Sequence, residues 1–232
     1  GFIFALGVLY AGLEITEFQA EDEKPAARTL DEALMMQKAK NELGGILNIG
    51  VVNRFNTNVN RIKNLIDAGE LGEVYHVYAS FRAHRSIPGI GGDFTTKAKS
   101  GGGALIDWGV HYLDLIMYCC GDPEPKTVTG ETFSKLGSPI EDYTYEYMWA
   151  GPPVKDGICN VEEGVTGMIR TEGPIITFNG AWAQNIGEDE MFVDFMGTKG
   201  GVRLRYGKDF TFYTTKNGML STTTFKYDMP SM

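Results

Sequence analysis

Residues 104–121 are apolar on nearly every side of a predicted helix, and a single polar line runs along it. The apolar stripe recurs at helical spacing and comprises Val110, Leu113, Met117 and Cys120. The polar line recurs at the same spacing and comprises Asp107, His111, Asp114 and Tyr118. A buried helix of this kind points its polar line either into a cleft or at a polar network, and the spacing alone leaves both open.

The first fifty residues alternate between helix and strand patterns, as in an α/β unit. A buried helix followed by a short strand is predicted over 5–18. Thr29 and Glu32 form a capping box that predicts the start of a second helix, which Gly44 ends. The apolar face of this helix comprises Leu30, Ala33, Leu34, Ala39 and Leu43. The run ILNIGVV at 46–52 then predicts a strand buried on both faces of a parallel sheet.

A third helix and a sheet are predicted in the rest of the chain. The helix covers 57–68, with Val59, Ile62 and Ile66 on its apolar face, and a long strand follows over 72–84. From about residue 125, short runs rich in Thr, Val, Phe and Tyr alternate with turns, which is typical of an antiparallel sheet. These runs lie at 126–133, 164–171, 174–183, 190–197, 200–206, 209–215 and 221–227.

These patterns define a fold class of α/β plus α+β. We predict an incomplete Rossmann-type domain over residues 1–55, the C-terminal part of a dinucleotide-binding domain. Residues 56–232 are predicted to form a substrate-binding and oligomerisation domain, with a large, mostly antiparallel open sheet flanked by helices. We expect this second domain to be truncated at its C-terminal end.

Composition narrows the class of partner. The formal net charge of -9 over 232 residues argues against nucleic acid or an anionic membrane surface as the partner. No apolar run reaches the length of about 18 residues that a membrane-spanning helix needs. The three cysteines include an adjacent pair and no CxxC motif, which predicts free thiols in a reducing cytoplasm and no metal site.

Two positions carry candidate chemistry. His111 titrates near neutral pH, so its imidazole is suited to take and return a proton, and Asp107 one turn away would orient it. Three glycines at 101–103 would let backbone approach a ligand closely. Lys24, in the tripeptide EKP, lies where a strand should end and a helix begin, a usual place for ligand groups in open α/β sheets. A structural His–Asp network and an exposed loop lysine are the alternatives.

Four segments together resemble the Gfo/Idh/MocA oxidoreductases. They are EDEKPAARTLDEA, ILNIGVVNRFN, IKNLIDAGELGEVYHV and GGGALIDWGVHYLDLIMYCCGDP, and they occur in the order of that family's motifs. The stretch FMGTKGGVRLRYG at 195–207 resembles the family's late strand pair. The resemblance covers roughly residues 20 to 210.

The resemblance implies an NAD- or NADP-dependent oxidoreductase acting on a hydroxyl or keto group of a sugar, inositol or related polyol. It implies that His111 exchanges the hydroxyl proton, that Lys24 stabilises charge on that oxygen and that Asp107 orients the site. It also implies a homo-oligomer formed through the open sheet. The candidates next to the cofactor are Lys24, Pro25 and Arg54. The candidates next to the substrate are Arg82, His84, Asp107, His111 and Trp182, the last as a stacking surface for a sugar.

The glycine-rich dinucleotide fingerprint of a Rossmann domain is missing from the sequence. We therefore expect this chain to be part of a longer oxidoreductase and to bind NAD poorly by itself. Two alternatives stay open. One is an NAD-dependent glycosidase of similar fold that uses transient oxidation. The other is a non-catalytic domain for binding or oligomerisation.

Overall fold

The computed structural model describes residues 27–44, 46–47 and 49–226. The helix and strand predicted over 5–18, together with Lys24 and Pro25, lie outside the described residues. The α-helices are α1 (Leu30–Leu43), α2 (Thr57–Asp67), α3 (Lys97–Ser100) and α4 (Val110–Cys119). The strands are β1 (Val74–His84), β2 (Pro125–Phe133), β3 (Gly164–Thr171), β4 (Ile175–Gln184), β5 (Glu190–Gly197), β6 (Gly200–Arg205), β7 (Phe210–Lys216) and β8 (Met219–Phe225).

All eight strands belong to one open sheet in the order β2-β3-β4-β1-β5-β6-β7-β8. Among the described strands, β1 and β4 form the only parallel pair, and every other neighbouring pair is antiparallel. The prediction of a large, mostly antiparallel open sheet is therefore confirmed. The long strand β1 lies in the middle of the sheet, which makes it the scaffold on which the helices pack.

Helices α2 and α4 cover one face of the sheet. Val59 and Ile62 of α2 and Leu115 of α4 join one buried cluster with the side chains of the central strands. Strand geometry sends alternate side chains of β1 to opposite faces. Phe81 is therefore buried under the helices, where its ring lies over Gly180 of the neighbouring strand. A Cβ at Gly180 would come within 1.7 Å of that ring.

The segment before α2 only partly follows the prediction. Helix α1 begins as expected, because the Thr29 hydroxyl accepts the backbone N–H of Glu32, and Gly44 ends it in the left-handed conformation. Its predicted apolar face is exposed, with Met36 the only buried residue of the helix.

The strand predicted over 46–52 is wrong for the described residues of that stretch. Residues 46, 47 and 49–51 lie in no helix or strand, and a 3₁₀ turn (Val52–Phe55) begins at the end of the stretch. Ile46 and Ile49 are 76% and 46% exposed. An apolar run becomes a strand only when a neighbouring backbone pairs with it, and no described strand does so here.

Two absences hold for the described residues alone. None of their helices combines the length and apolarity needed to cross a bilayer. None of their His, Cys, Asp and Glu side chains form a group of three or more that would hold a metal ion.

Candidate functional site

The helix that carries the polar line is built in two parts. A π-helical turn (Leu105–Gly109) leads directly into α4. Asp107 lies on the π-helical turn and is buried. Its Oδ2 accepts the indole N–H of Trp182 at 3.0 Å, a bond between two buried side chains. Because a buried carboxylate needs hydrogen-bond donors, this bond helps to stabilise Asp107 in its buried position.

The backbone at His111 is held by a second polar contact. Buried Asn53, in the 3₁₀ turn before α2, donates its Nδ2 hydrogen to the carbonyl oxygen of His111 at 3.1 Å. The amide oxygen of Asn53 accepts the hydroxyl of Tyr206 at 3.1 Å. His111 itself is half-buried, one turn along the helix from Asp107. The helix is therefore pinned at both candidate residues, at Asp107 through its side chain and at His111 through its carbonyl.

The other two members of the polar line bond to side chains in and before α2. Asp114 receives a fork of three hydrogen bonds from Arg54, at 2.6–3.1 Å from Nε and Nη2. This bonding to Asp114 raises the pKa of the Arg54 guanidinium. Tyr118 donates its hydroxyl to Asn60 of α2 at 2.8 Å. Arg54, predicted as a cofactor contact, thus joins the chain before α2 to α4, two turns away from Asp107.

The predicted apolar stripe packs partly against the core but is not the most deeply buried side of this helix. Val110 is exposed, and Leu113, Met117 and Cys120 are only half-buried. The buried stripe comprises Tyr112, Leu115, Ile116 and Cys119, on the other side of the polar line. Tyr112 stacks between the rings of Phe81 and Tyr206, with centroids at 4.9 and 5.0 Å. Because both flanks of the polar line are apolar, hydrophobicity alone did not identify the flank that faces the sheet.

Arg82 is not brought together with Asp107. It alternates with Phe81 on β1, so it lies on the opposite face of the sheet from the helices. Its guanidinium pairs with Glu190 and donates to the hydroxyl of Ser80 at 3.2 Å. This placement departs from the expectation that Arg82 contacts the substrate.

His84 ends β1, and its contacts are with the neighbouring strand and the turn that follows it. The backbone N–H of His84 donates to Asp189 at 2.8 Å, and its Nδ1 lies 3.2 Å from the carbonyl oxygen of Gln184.

Trp182 differs from its predicted role as a stacking surface. Its indole is fully buried in a cluster with Ile87, Ile90 and Tyr143, so the ring offers no exposed face to a sugar. What it offers is the N–H that Asp107 accepts. The structure therefore joins two of the predicted residues directly, Asp107 and Trp182, and gives Trp182 a different part in the site.

The described residues do not fit the phosphates of a dinucleotide. The glycines at 101–103 lie between α3 and the π-helical turn, not after a strand as in a dinucleotide-binding turn. The backbone N–H groups of Gly103 and Leu105, which would bind an anion at a helix start, already donate to the Glu162 carboxylate. Lys24 and Pro25, the other two predicted cofactor contacts, lie outside the described residues.

Two polar residues of this region were missed by the sequence reasoning. Asn53 interrupts an apolar run just before the basic residue Arg54, and that interruption was a usable signal. Glu162 gave no signal, because it contacts the helix start from a segment more than fifty residues away in sequence.

The sequence is similar to known proteins over most of its length. A family model described as "GFO/IDH/MocA C-terminal domain" matches residues 59–203. D-glucoside 3-dehydrogenase of Escherichia coli (strain K12) is 33% identical over 202 residues, which cover 86% of this chain and 55% of that protein. scyllo-inositol 2-dehydrogenase (NADP(+)) IolW of Bacillus subtilis (strain 168) is 25% identical over 173 residues, which cover 75% of this chain and 44% of that protein.

Solved structures show the same fold. A levoglucosan dehydrogenase in complex with NADH and levoglucosan superposes with a TM-score of 0.72 and 18% identity, over 88% of this chain and 53% of that one. The chain thus spans about half the length of the relatives it matches.

Proposed function

Because the chain belongs to the Gfo/Idh/MocA family, we propose that it is the substrate-side part of an oxidoreductase. The substrate class is a hydroxyl or keto group of a sugar, inositol or related polyol. The names of the similar dehydrogenases support this class. One observation carries the proposal: the buried Asp107–Trp182 bond fixes a carboxylate one helical turn before a half-buried histidine, on a helix held against the sheet.

In this function His111 accepts the proton of the substrate hydroxyl and returns it in the reverse direction. Asp107, fixed by the indole of Trp182, lies one helical turn before His111 and orients the site. The Asn53 bond to the carbonyl of His111 holds the helix backbone from which the imidazole projects. NAD or NADP supplies hydride transfer when bound, and we assign its phosphates to residues other than those described.

The domain division belongs to the same proposal. Residues 1–55 are assigned to the dinucleotide-binding domain, with Lys24 and Pro25 next to the nicotinamide, and residues 56–232 to the substrate domain. Family membership supports this division, and the match to the C-terminal domain model lies inside the second part.

We also assign self-association to the sheet face opposite the helices. That face presents partly exposed Tyr78 and Phe192, whose rings meet edge to face with centroids 5.8 Å apart. Arg203 lies over Phe192 at 4.3 Å and pairs with Asp194. Aromatic rings with arginine are typical of the centre of protein interfaces. Analytical ultracentrifugation checks this: an Arg203→Glu variant should shift an oligomer toward the monomer, and a monomeric parent protein refutes the assignment.

The activity is tested on the complete protein that carries this sequence. NADH or NADPH formation is measured at 340 nm with a methyl glucoside, glucose and myo-inositol. His111→Asn should lower the rate about a hundredfold or more, as expected for loss of a general base. His76→Asn, on the opposite sheet face, is the matched control and should keep the parent rate.

The same assay separates the alternatives. Release of free sugar from the glycoside without net NADH would instead indicate a glycosidase. A non-catalytic domain would be indicated if neither NAD nor NADP supported turnover and calorimetry detected no binding of either cofactor.

A further inference from the structure

The start of the π-helical turn has no capping side chain of its own. The residue before it, Ala104, supplies no side-chain acceptor. The first backbone N–H groups of a helix have no partner inside the helix and need one from elsewhere. Here a single distant residue, Glu162, provides it.

Glu162 receives three successive N–H groups at this helix start. Its Oε1 accepts from Gly103 at 2.8 Å and from Leu105 at 3.3 Å. Its backbone carbonyl accepts from Ala104 at 3.0 Å. The approach is so close that a Cβ at Gly103 would lie 1.9 Å from that carbonyl oxygen, so the position requires glycine.

The next residue, Glu163, holds the other half of the site. The backbone N–H of Trp182 donates to the carbonyl of Glu163 at 2.8 Å. The backbone N–H of Asp107 in turn donates to the carbonyl of Gly103 at 3.0 Å. Both partners of the Asp107–Trp182 bond are therefore tied, within one or two hydrogen bonds, to the same dipeptide.

We propose that Glu162 is a positioning residue that sets where the Asp107 carboxylate meets the Trp182 indole. This proposal rests on the proposed function only in assigning Asp107 to the site. Glu162 acts through the backbone: its carboxylate oxygen fixes the height and direction of the π-helical turn relative to β4. An acceptor oxygen is what this task requires. Glutamine at position 162 should therefore perform the same task, whereas an apolar side chain of the same length should not.

The experiment follows the indole N–H of Trp182, not enzymatic activity, so its failure is distinguishable from failure of the proposed function. The chain has three tryptophans, so ¹⁵N-tryptophan labelling gives three indole signals. Trp182→Phe identifies its own signal by removing it. The hydrogen-exchange rate of that indole is then compared in the parent chain, Glu162→Met, Glu162→Gln and the control Glu131→Met, which lies on the exposed strand β2.

In Glu162→Met we expect the Trp182 indole to exchange about tenfold or more faster than in the parent, since the Asp107 acceptor is displaced. Glu162→Gln and Glu131→Met should stay within about twofold of the parent, and the Trp149 signal should stay constant in all variants.

The proposal is overturned if Glu162→Met leaves the Trp182 exchange unchanged, or if Glu162→Gln accelerates it as much as Glu162→Met. It is also overturned if Glu162→Met fails to fold while Glu162→Gln folds, because Glu162 then serves the fold as a whole. If neither folds, Gly103→Ala displaces the same contact from the helix side, and unchanged Trp182 exchange in that variant overturns the proposal.

Discussion

The indole of Trp182 and the carboxylate of Asp107 meet at 3.0 Å inside the protein, one on a central strand and the other on a π-helical turn. Trp182→Phe keeps the bulk of an aromatic ring and leaves the buried carboxylate without this donor. We expect the free energy of unfolding to fall by about 1–3 kcal/mol, the usual cost when a buried polar group loses a hydrogen-bond donor. Urea titration followed by far-ultraviolet circular dichroism measures this.

Trp149→Phe is the matched control for that change. The Trp149 indole N–H is buried and has no hydrogen-bond partner among the described residues, although its ring stacks on Trp108. Its removal should change the free energy of unfolding by less than about 1 kcal/mol. Equal losses in the two variants would mean that ring size, not the bond to Asp107, determines the effect.

The forked pair of Arg54 and Asp114 should show measurable coupling. Their side chains are 41% and 16% exposed, so solvent screens the pair only partly. A double-mutant cycle with Arg54→Met and Asp114→Asn should give a coupling free energy of about 1 kcal/mol that decreases with salt. The exposed pair Lys38–Glu42, at 3.8 Å, is the control and should give a value near zero. Coupling no larger than that control would contradict the role of Arg54 as a structural pin.

Gly180 should tolerate no side chain. A Cβ there would meet the Phe81 ring at 1.7 Å, and Phe81 is itself packed against Tyr112. Gly180→Ala should lower the free energy of unfolding by about 1–3 kcal/mol or more through overpacking. Gly187→Ala, where nothing lies within 4 Å of the added Cβ, should be neutral or slightly stabilising. Thermal denaturation of both variants checks this, and equal midpoints would refute close packing at Gly180.

The cysteine thiols should resist modification in the folded protein. Burial raises the pKa of Cys159 to about 11 and that of Cys120 to about 12, and it also raises the pKa of Cys119. At pH 8 the thiolate fraction of Cys159 should be about a hundredfold below that of an unfolded chain. Ellman's reagent should therefore react slowly before denaturation and with all three thiols after it. Rapid reaction of one thiol in the folded protein would contradict the burial.

The free energy of unfolding should change with pH as these thiols titrate. A thiol whose pKa is raised by folding contributes stability that is complete below the unfolded pKa and is lost as the pH rises toward the folded value. For Cys159 that window lies between about pH 9 and pH 11. Between these limits the urea midpoint should fall, and it should fall less steeply in Cys159→Ala than in the parent.

Local pattern predicted the elements with the most regular periodicity. The capped start of α1, the amphipathic α2 and the long strand β1 follow from residues next to one another in sequence. The strand expected over 46–52 was wrong because an apolar run does not specify a pairing partner. The most deeply buried side of α4 could not be identified from sequence because Val110 and Leu115 are both apolar, and only the position of the sheet distinguishes them.

The candidate site was predictable in part for the same reason. Asp107 and His111 lie one turn apart on one helix, so their spacing was readable. Two contacts join segments that are far apart in the chain: Asp107 with Trp182, and Gly103 with Glu162. Local sequence patterns do not predict contacts of this kind. The burial of Trp182 and the position of Arg82 on the opposite face depend on how β1 pairs with β4.

The central position of β1 also affects how the chain reaches its fold. β1 pairs with β4 on one side and β5 on the other, so neither edge of this strand is satisfied by a near neighbour in sequence. β1 is synthesised well before either partner strand. Until they follow, both of its edges lack a partner. Pairings this far apart in sequence raise the contact order, so we expect them to slow folding. We therefore expect the unpaired edges of β1 to be most open to aggregation in the interval before β4 is synthesised.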